Sequence, residues 1–177
     1  MPGCLSHTVS RVDSIGMICL QQALKKITAA KIKIPSNAEA KMLAGLVEKK
    51  HPTIKGIFAF LDGHVMQTER PGDWEMQTAN YNGMDGVHAI KCLFIFSARG
   101  VVIFSMCNFL GTTNDAGMLY FVSLEDIFSH LDAHLKIVGD SAFANTSRVI
   151  RMPRQTEYNT LSPEEEAELR GKAYELS

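Results

Sequence analysis

Two short, mostly apolar runs, Ile57-Phe58-Ala59-Phe60-Leu61 and Leu135-Lys136-Ile137-Val138-Gly139, each stop on an aspartate, Asp62 and Asp140. The first, a continuous apolar run cut off by Asp62-Gly63, suits a strand buried on both faces, and the second makes another short strand. Between the two runs lie two further strand-like stretches, about Val87–Phe96 and Val101–Asn108. The short glycine-containing loop Ser97-Ala98-Arg99-Gly100 joins them as a hairpin. Asp115 to about Leu131 is then long enough for a helix. A helix leading into a strand is a crossover, which places the last strand parallel within the sheet. The first and last strands can therefore lie side by side, with Asp62 and Asp140 at coincident C-terminal ends. Open α/β sheets place their sites there.

The flanks read differently. Val9, Val12, Ile15, Cys19, Ala23 and Ile27 recur at three- and four-residue steps, which predicts an amphipathic helix over Thr8–Ile27. Ser36 with Glu39 three residues later predicts a capping box that opens a second helix running to about Lys50, where Pro52 ends it. Thr68 to Gly86 is a polar connection with Pro71-Gly72 and Asn82-Gly83 as turns. After Ser162, a Glu-rich helix is expected to the last residue. Residues 1–50 thus form a helical segment and 51–177 the α/β core.

With 46% hydrophobic and 21% charged residues, the 177-residue chain can bury a real core. The longest apolar candidate for a membrane span or signal, Ile15 to Leu20, is short and interrupted by Gly16, so an intracellular soluble protein is expected. Cys4, Cys19, Cys92 and Cys107 show no C-x-x-C spacing, and reduced thiols are expected in place of a zinc site. The net charge of -1 hides an asymmetry: nine Lys/Arg against three Asp/Glu through residue 61, and nine against sixteen after it. The basic third is either a phosphate-facing surface or a well-solvated helical one.

Two carboxylates at adjacent strand ends repel, and a divalent cation is the usual remedy. Mg²⁺ or Mn²⁺ takes hard oxygen ligands and leaves positions open for phosphate oxygens. The competing reading is local: Asp62-Gly63 as a turn and Gly139-Asp140-Ser141 as a cap. Four other features have two readings each. His130 and His134 are a metal pinch or a surface pair, and His64 is a phosphate contact or a loop residue. Trp74 and Tyr81 stack bases or pack the long connection onto the core. Arg148, Arg151 and Arg154 line a DNA backbone path or decorate an exposed strand.

The wording around the aspartates carries more. "HPTIKGIFAFLDGHVMQTERPGDWEMQTANYNGMDG" resembles the first catalytic block of PIF/Harbinger-type DDE transposases, where an apolar strand ends in Asp-Gly and a Tyr-Asn-Gly stretch follows. "VHAIKCLFIFSARGVVIFSMCNFLGTTNDAGML" is similar to the hairpin and Gly-x-x-x-Asp element that come next. "KIVGDSAF" resembles the second catalytic block. The likeness runs from about Pro35 to Glu168, with the blocks in order.

The resemblance implies an RNase H-like mixed sheet flanked by helices, with a short N-terminal helical segment left from a DNA-binding region. It implies metal-dependent cleavage and joining of DNA, with Asp62 and Asp140 as catalytic metal ligands and Asp115 as a further acid near the metal. DNA is then the partner, with a homo-oligomer or a separate DNA-binding protein in attendance, and the location nuclear or cytoplasmic. Two departures stand out. The family's third acid is a Glu, and matching "LSPEEEAELR" places it just beyond Ser177; Glu164, Glu165, Glu166, Glu168 and Glu175 are candidates only by type. Leu110-Gly111-Thr112-Thr113-Asn114-Asp115 also lacks the His and Trp of the family's Pro-Gly-Ser-Trp-His-Asp-like element. A catalytically inactive remnant that binds DNA or protein is the alternative.

Overall fold

The computed structural model describes residues 3–153 and divides into two compact units, residues 1–33 and 34–177. The first holds α1 (Gly3–Lys26) and a 3₁₀ turn at Thr28–Ala30. The expected helix is thus present and starts earlier than its apolar period suggests. Among the described residues, no helix is long and apolar enough to cross a membrane.

The second unit opens with α2 (Asn37–Lys50), and its capping box is formed as the sequence predicts. Glu39 N–H donates to Ser36 Oγ (3.3 Å) and Ser36 N–H donates to Glu39 Oε2 (3.0 Å). Both orphan donors are thereby satisfied. Ala40, Leu43, Ala44 and Val47 form the buried stripe of α2, which packs on β1 (Ile57–Gln67).

After β1 come α3 (Trp74–Asn80), β2 (Tyr81–Asn82), β3 (Val87–Ser97), β4 (Val102–Leu110), α4 (Asp115–Phe121), α5 (Leu124–Ile127), β5 (Lys136–Gly139) and β6 (Val149–Arg151). The strands form one mixed sheet in the order β2-β3-β1-β5-β6, with β4 also on β3. β1 is antiparallel to β3, and β3 to β4, whereas β1, β5 and β6 run parallel. An antiparallel meander continued by parallel strands and flanked by helices is an RNase H-like fold. Phe58, Leu93, Ile95, Phe128, Leu135, Ile137 and Phe143 form the buried centre, with the Phe58 and Phe128 rings edge to face at 5.8 Å.

Three expectations change. β1 does not end at Asp62: beyond it the strand still pairs with β3, from Asp62 opposite Phe94 to Gln67 opposite Ala89. Only the parallel partner stops there, so continuous burial gives way to alternation. The single helix from Asp115 breaks into α4 and α5, because Ser123 Oγ accepts from Asp126 N–H (3.4 Å) and restarts the helix. The polar connection contains α3, opened by Asp73 Oδ2 accepting from Met76 N–H (2.9 Å). The Glu-rich stretch after Ser162, with Glu164, Glu165, Glu166, Glu168 and Glu175, and also Arg154, lies outside the described residues.

Candidate metal centre

The parallel pairing of β1 and β5 sets Leu61 opposite Gly139. Asp62 and Asp140 are the next residues on each strand, so they stand at the same level, where the parallel pairing stops. Both are exposed. At position 139 a side chain would collide with the fold: a Cβ there would meet Phe143 Cδ2 at 2.8 Å, and Phe143 is buried. Asp140 then turns the chain, its Oδ1 accepting from Ala142 N–H at 2.9 Å. One such bond occupies a fraction of a carboxylate's acceptor capacity and leaves room for a cation.

Asp115 comes from a different element. It is the first residue of α4, whose N-cap Asn114 accepts from Gly117 N–H (2.6 Å). Its carboxylate rests against β1 beside Asp62, where a Cβ on Gly63 would lie 2.9 Å from Asp115 Oδ1. The Asp62-Gly63 pair is therefore not a turn. The glycine sits inside a strand and leaves space for a third carboxylate, one of the positional uses of a strand glycine. Burial pushes the Asp115 carboxyl above the usual carboxylate range; Lys91 pulls it back, and the charges of Asp140 and Asp62 push it up further. Asp115 thus lies within the field of both other aspartates. Lys91, 8% exposed on β3 opposite Val65, is the cation of this neighbourhood and was not singled out from the sequence. A buried lysine in an otherwise apolar strand was the available signal.

The donor set is hard oxygen, which fits Mg²⁺ or Mn²⁺. Among the described residues, no three or more His, Cys, Asp or Glu side chains are grouped to hold an ion. An ion here would rest on Asp62 and Asp140, with Asp115 nearby and water or phosphate completing its shell.

Several other candidates are placed elsewhere. Arg148 does not line a DNA path: it is 8% exposed, with Nη1 donating to Asp132 O (2.7 Å) and Leu135 O (3.3 Å) and Nη2 to Leu131 O (2.8 Å). It caps carbonyls of the turns before β5. Arg151 ends β6, its Nη1 donating to Met152 O (3.3 Å). His130 and His134 are not on a helix, and His130 Nε2 lies 3.0 Å from Pro35 O. His64 is exposed on β1, tilted toward Phe94. Trp74 does not pack on the core; it is 74% exposed.

A profile of the DDE superfamily endonucleases matches residues 61–173, a span that begins just before Asp62 and contains Asp115 and Asp140. The chain belongs to the DDE superfamily endonucleases. No curated protein and no solved structure matches it. DDE endonucleases generally use a divalent metal, and DNA is the substrate the family implies.

In metal-free buffer Asp115 is expected to weigh against folding at neutral pH. A raised carboxyl holds its proton more tightly folded than unfolded, so stability falls as pH rises through the folded-state value. Asp115→Asn should therefore raise the melting temperature at pH 7, with the gain vanishing below the ordinary carboxylate value of about 4. Melting curves from pH 3.5 to 7.5 test this; a gain that does not depend on pH contradicts it.

Proposed function

We propose that this chain is the nuclease core of a PIF/Harbinger-type, transposase-derived enzyme. It hydrolyses DNA phosphodiesters with a divalent ion, Mg²⁺ or Mn²⁺, held by Asp62 and Asp140. The observation that carries the reading is the parallel register of Leu61 with Gly139, which sets two acids level on adjacent strands, near Asp115. An ion between such acids lowers the pKa of a bound water and neutralises charge on the phosphate. The helix α1 before the core is then the remainder of a DNA-binding region, the partner is DNA, and Arg151 at the end of β6 faces its backbone.

A second reading, a remnant that binds DNA or protein without cutting, is favoured by one observation. Asp62, Asp140 and Asp115 do not close into a three-ligand group among the described residues. A supercoiled-plasmid nicking assay with the full chain in Mn²⁺ separates the two. Nicking that requires the ion and disappears in Asp62→Ala is the expected result. Absence of nicking, or nicking unchanged by that substitution, removes the enzyme reading in favour of the remnant.

A further inference from the structure

An open cleft of about 400 Å³ lies away from the aspartates, lined by Arg70, Trp74, Gln77, Thr78, Tyr81 and His88. Trp74 is the chain's single tryptophan, and it lies 74% exposed at the start of α3; Tyr81 is 46% exposed. Exposed aromatic rings gathered on one cleft offer flat apolar faces to a ligand. The cleft is built with some care. Arg70 Nε and Nη2 donate to Gln77 Oε1 (2.9 and 2.8 Å), and Gln77 Nε2 donates to Pro71 O (2.8 Å), which holds the guanidinium in place. Tyr81 meets the His88 ring edge to face at 5.5 Å.

Two further observations narrow the occupant. Glu69, Asp73 and Glu75 surround Arg70 in sequence, so the segment carries more negative than positive charge and disfavours a phosphate. Flat aromatic faces, an imidazole and a fixed guanidinium suit a nucleobase.

The cleft is also tied to the candidate metal centre. Thr112 N–H and Oγ1 both donate to Ala79 O at the end of α3 (3.2 and 3.0 Å), and Thr112 belongs to the loop that delivers Asp115. Along β3, His88 is six residues from Phe94, the partner of Asp62. At about 3.4 Å per residue that is about 20 Å. A nucleic acid strand covers this length in about six nucleotides at about 3.4 Å each.

We propose that this cleft receives an unpaired nucleobase of the DNA bound at the aspartates, stacked on Trp74 beside Arg70 and Tyr81. The assignment rests on the DNA-endonuclease reading for its ligand but not on cleavage.

The test uses the full chain in EDTA, so that catalysis plays no part. Emission of the single tryptophan is followed while a short oligothymidine, and separately a blunt duplex of equal length, is titrated in. Stacking should quench Trp74, with tighter apparent binding of the single strand than of the duplex. By anisotropy of labelled oligothymidine, Trp74→Ala should weaken binding about tenfold and Trp74→Phe much less. Trp74 is exposed, so both variants should keep the wild-type circular dichroism. Three results overturn the assignment: no quenching by oligothymidine, equal affinity of Trp74→Ala, or a concentration-dependent blue shift without DNA, which marks a protein contact. The nicking assay is separate, so quenching without cleavage leaves this site standing and removes only the enzyme reading.

Discussion

Replacing Asp140 with asparagine should lower Mn²⁺-dependent plasmid nicking at least about a hundredfold while leaving the fold as stable as before, or slightly more stable, in metal-free buffer. Asparagine keeps the shape and the Oδ1 acceptor, so the 2.9 Å bond from Ala142 N–H survives. What it deletes is one of two charges at the level set by Leu61 and Gly139. Loss of a residue that merely orients a metal ligand costs about 10- to 100-fold, so loss of a ligand sets the floor at the upper end of that range. Removing the charge also relieves Asp115, which is repelled by Asp140 and by Asp62. Activity and metal-free stability are therefore expected to move in opposite directions. Nicking gels and melting curves on one preparation check both halves. Nicking within about tenfold of wild type would sink the assignment of Asp140 as a ligand.

Arg148→Ala should cost about 3 kcal/mol or more of folding stability. Its guanidinium donates to three carbonyls, those of Leu131, Asp132 and Leu135, in the turns that lead into β5. A hydrogen bond to a charged group contributes about 1.5–3 kcal/mol, and truncation leaves buried acceptors without donors. Arg148→Lys should recover little, because one ammonium cannot reproduce the planar fork. Urea unfolding gives the number. A loss below about 0.5 kcal/mol, with weakened DNA binding instead, would restore Arg148 to a surface that meets phosphate. These turns precede the strand that presents Asp140, so the same substitution is expected to disturb the candidate site indirectly.

The sequence placed the two aspartates and misread what surrounds them. Ile57–Leu61 read correctly as a doubly buried stretch and Leu135–Gly139 as a further short strand, because a short apolar run has few other uses at that length. The hairpin of β3 and β4 was legible from the glycine-containing loop at Ser97–Gly100, and the start of α2 from the Ser36–Glu39 box. Each of these signals is local, written within a few residues. β1 beyond Asp62 was not legible, because its second half persists only through partners on β3 that lie 22 to 30 residues further along the chain. Nor was the break at Ser123, where a short polar side chain caps a new helix inside a stretch whose length allowed one.

The candidate site divides in the same way. Sequence alone determined that Asp62 and Asp140 end the doubly buried stretch of their strands, since a carboxylate cannot follow an apolar run into the core. It also determined that the crossover between them makes those strands parallel. The resemblance named Asp115 as an acid near the metal; only the tertiary structure showed that Gly63 is the gap beside which it rests and that Lys91 is a nearby cation. It likewise turned Arg148 inward and left Trp74 in water. The physical reason is common to all of these: burial and field depend on which distant residues a side chain meets, and residue type and spacing do not carry that information.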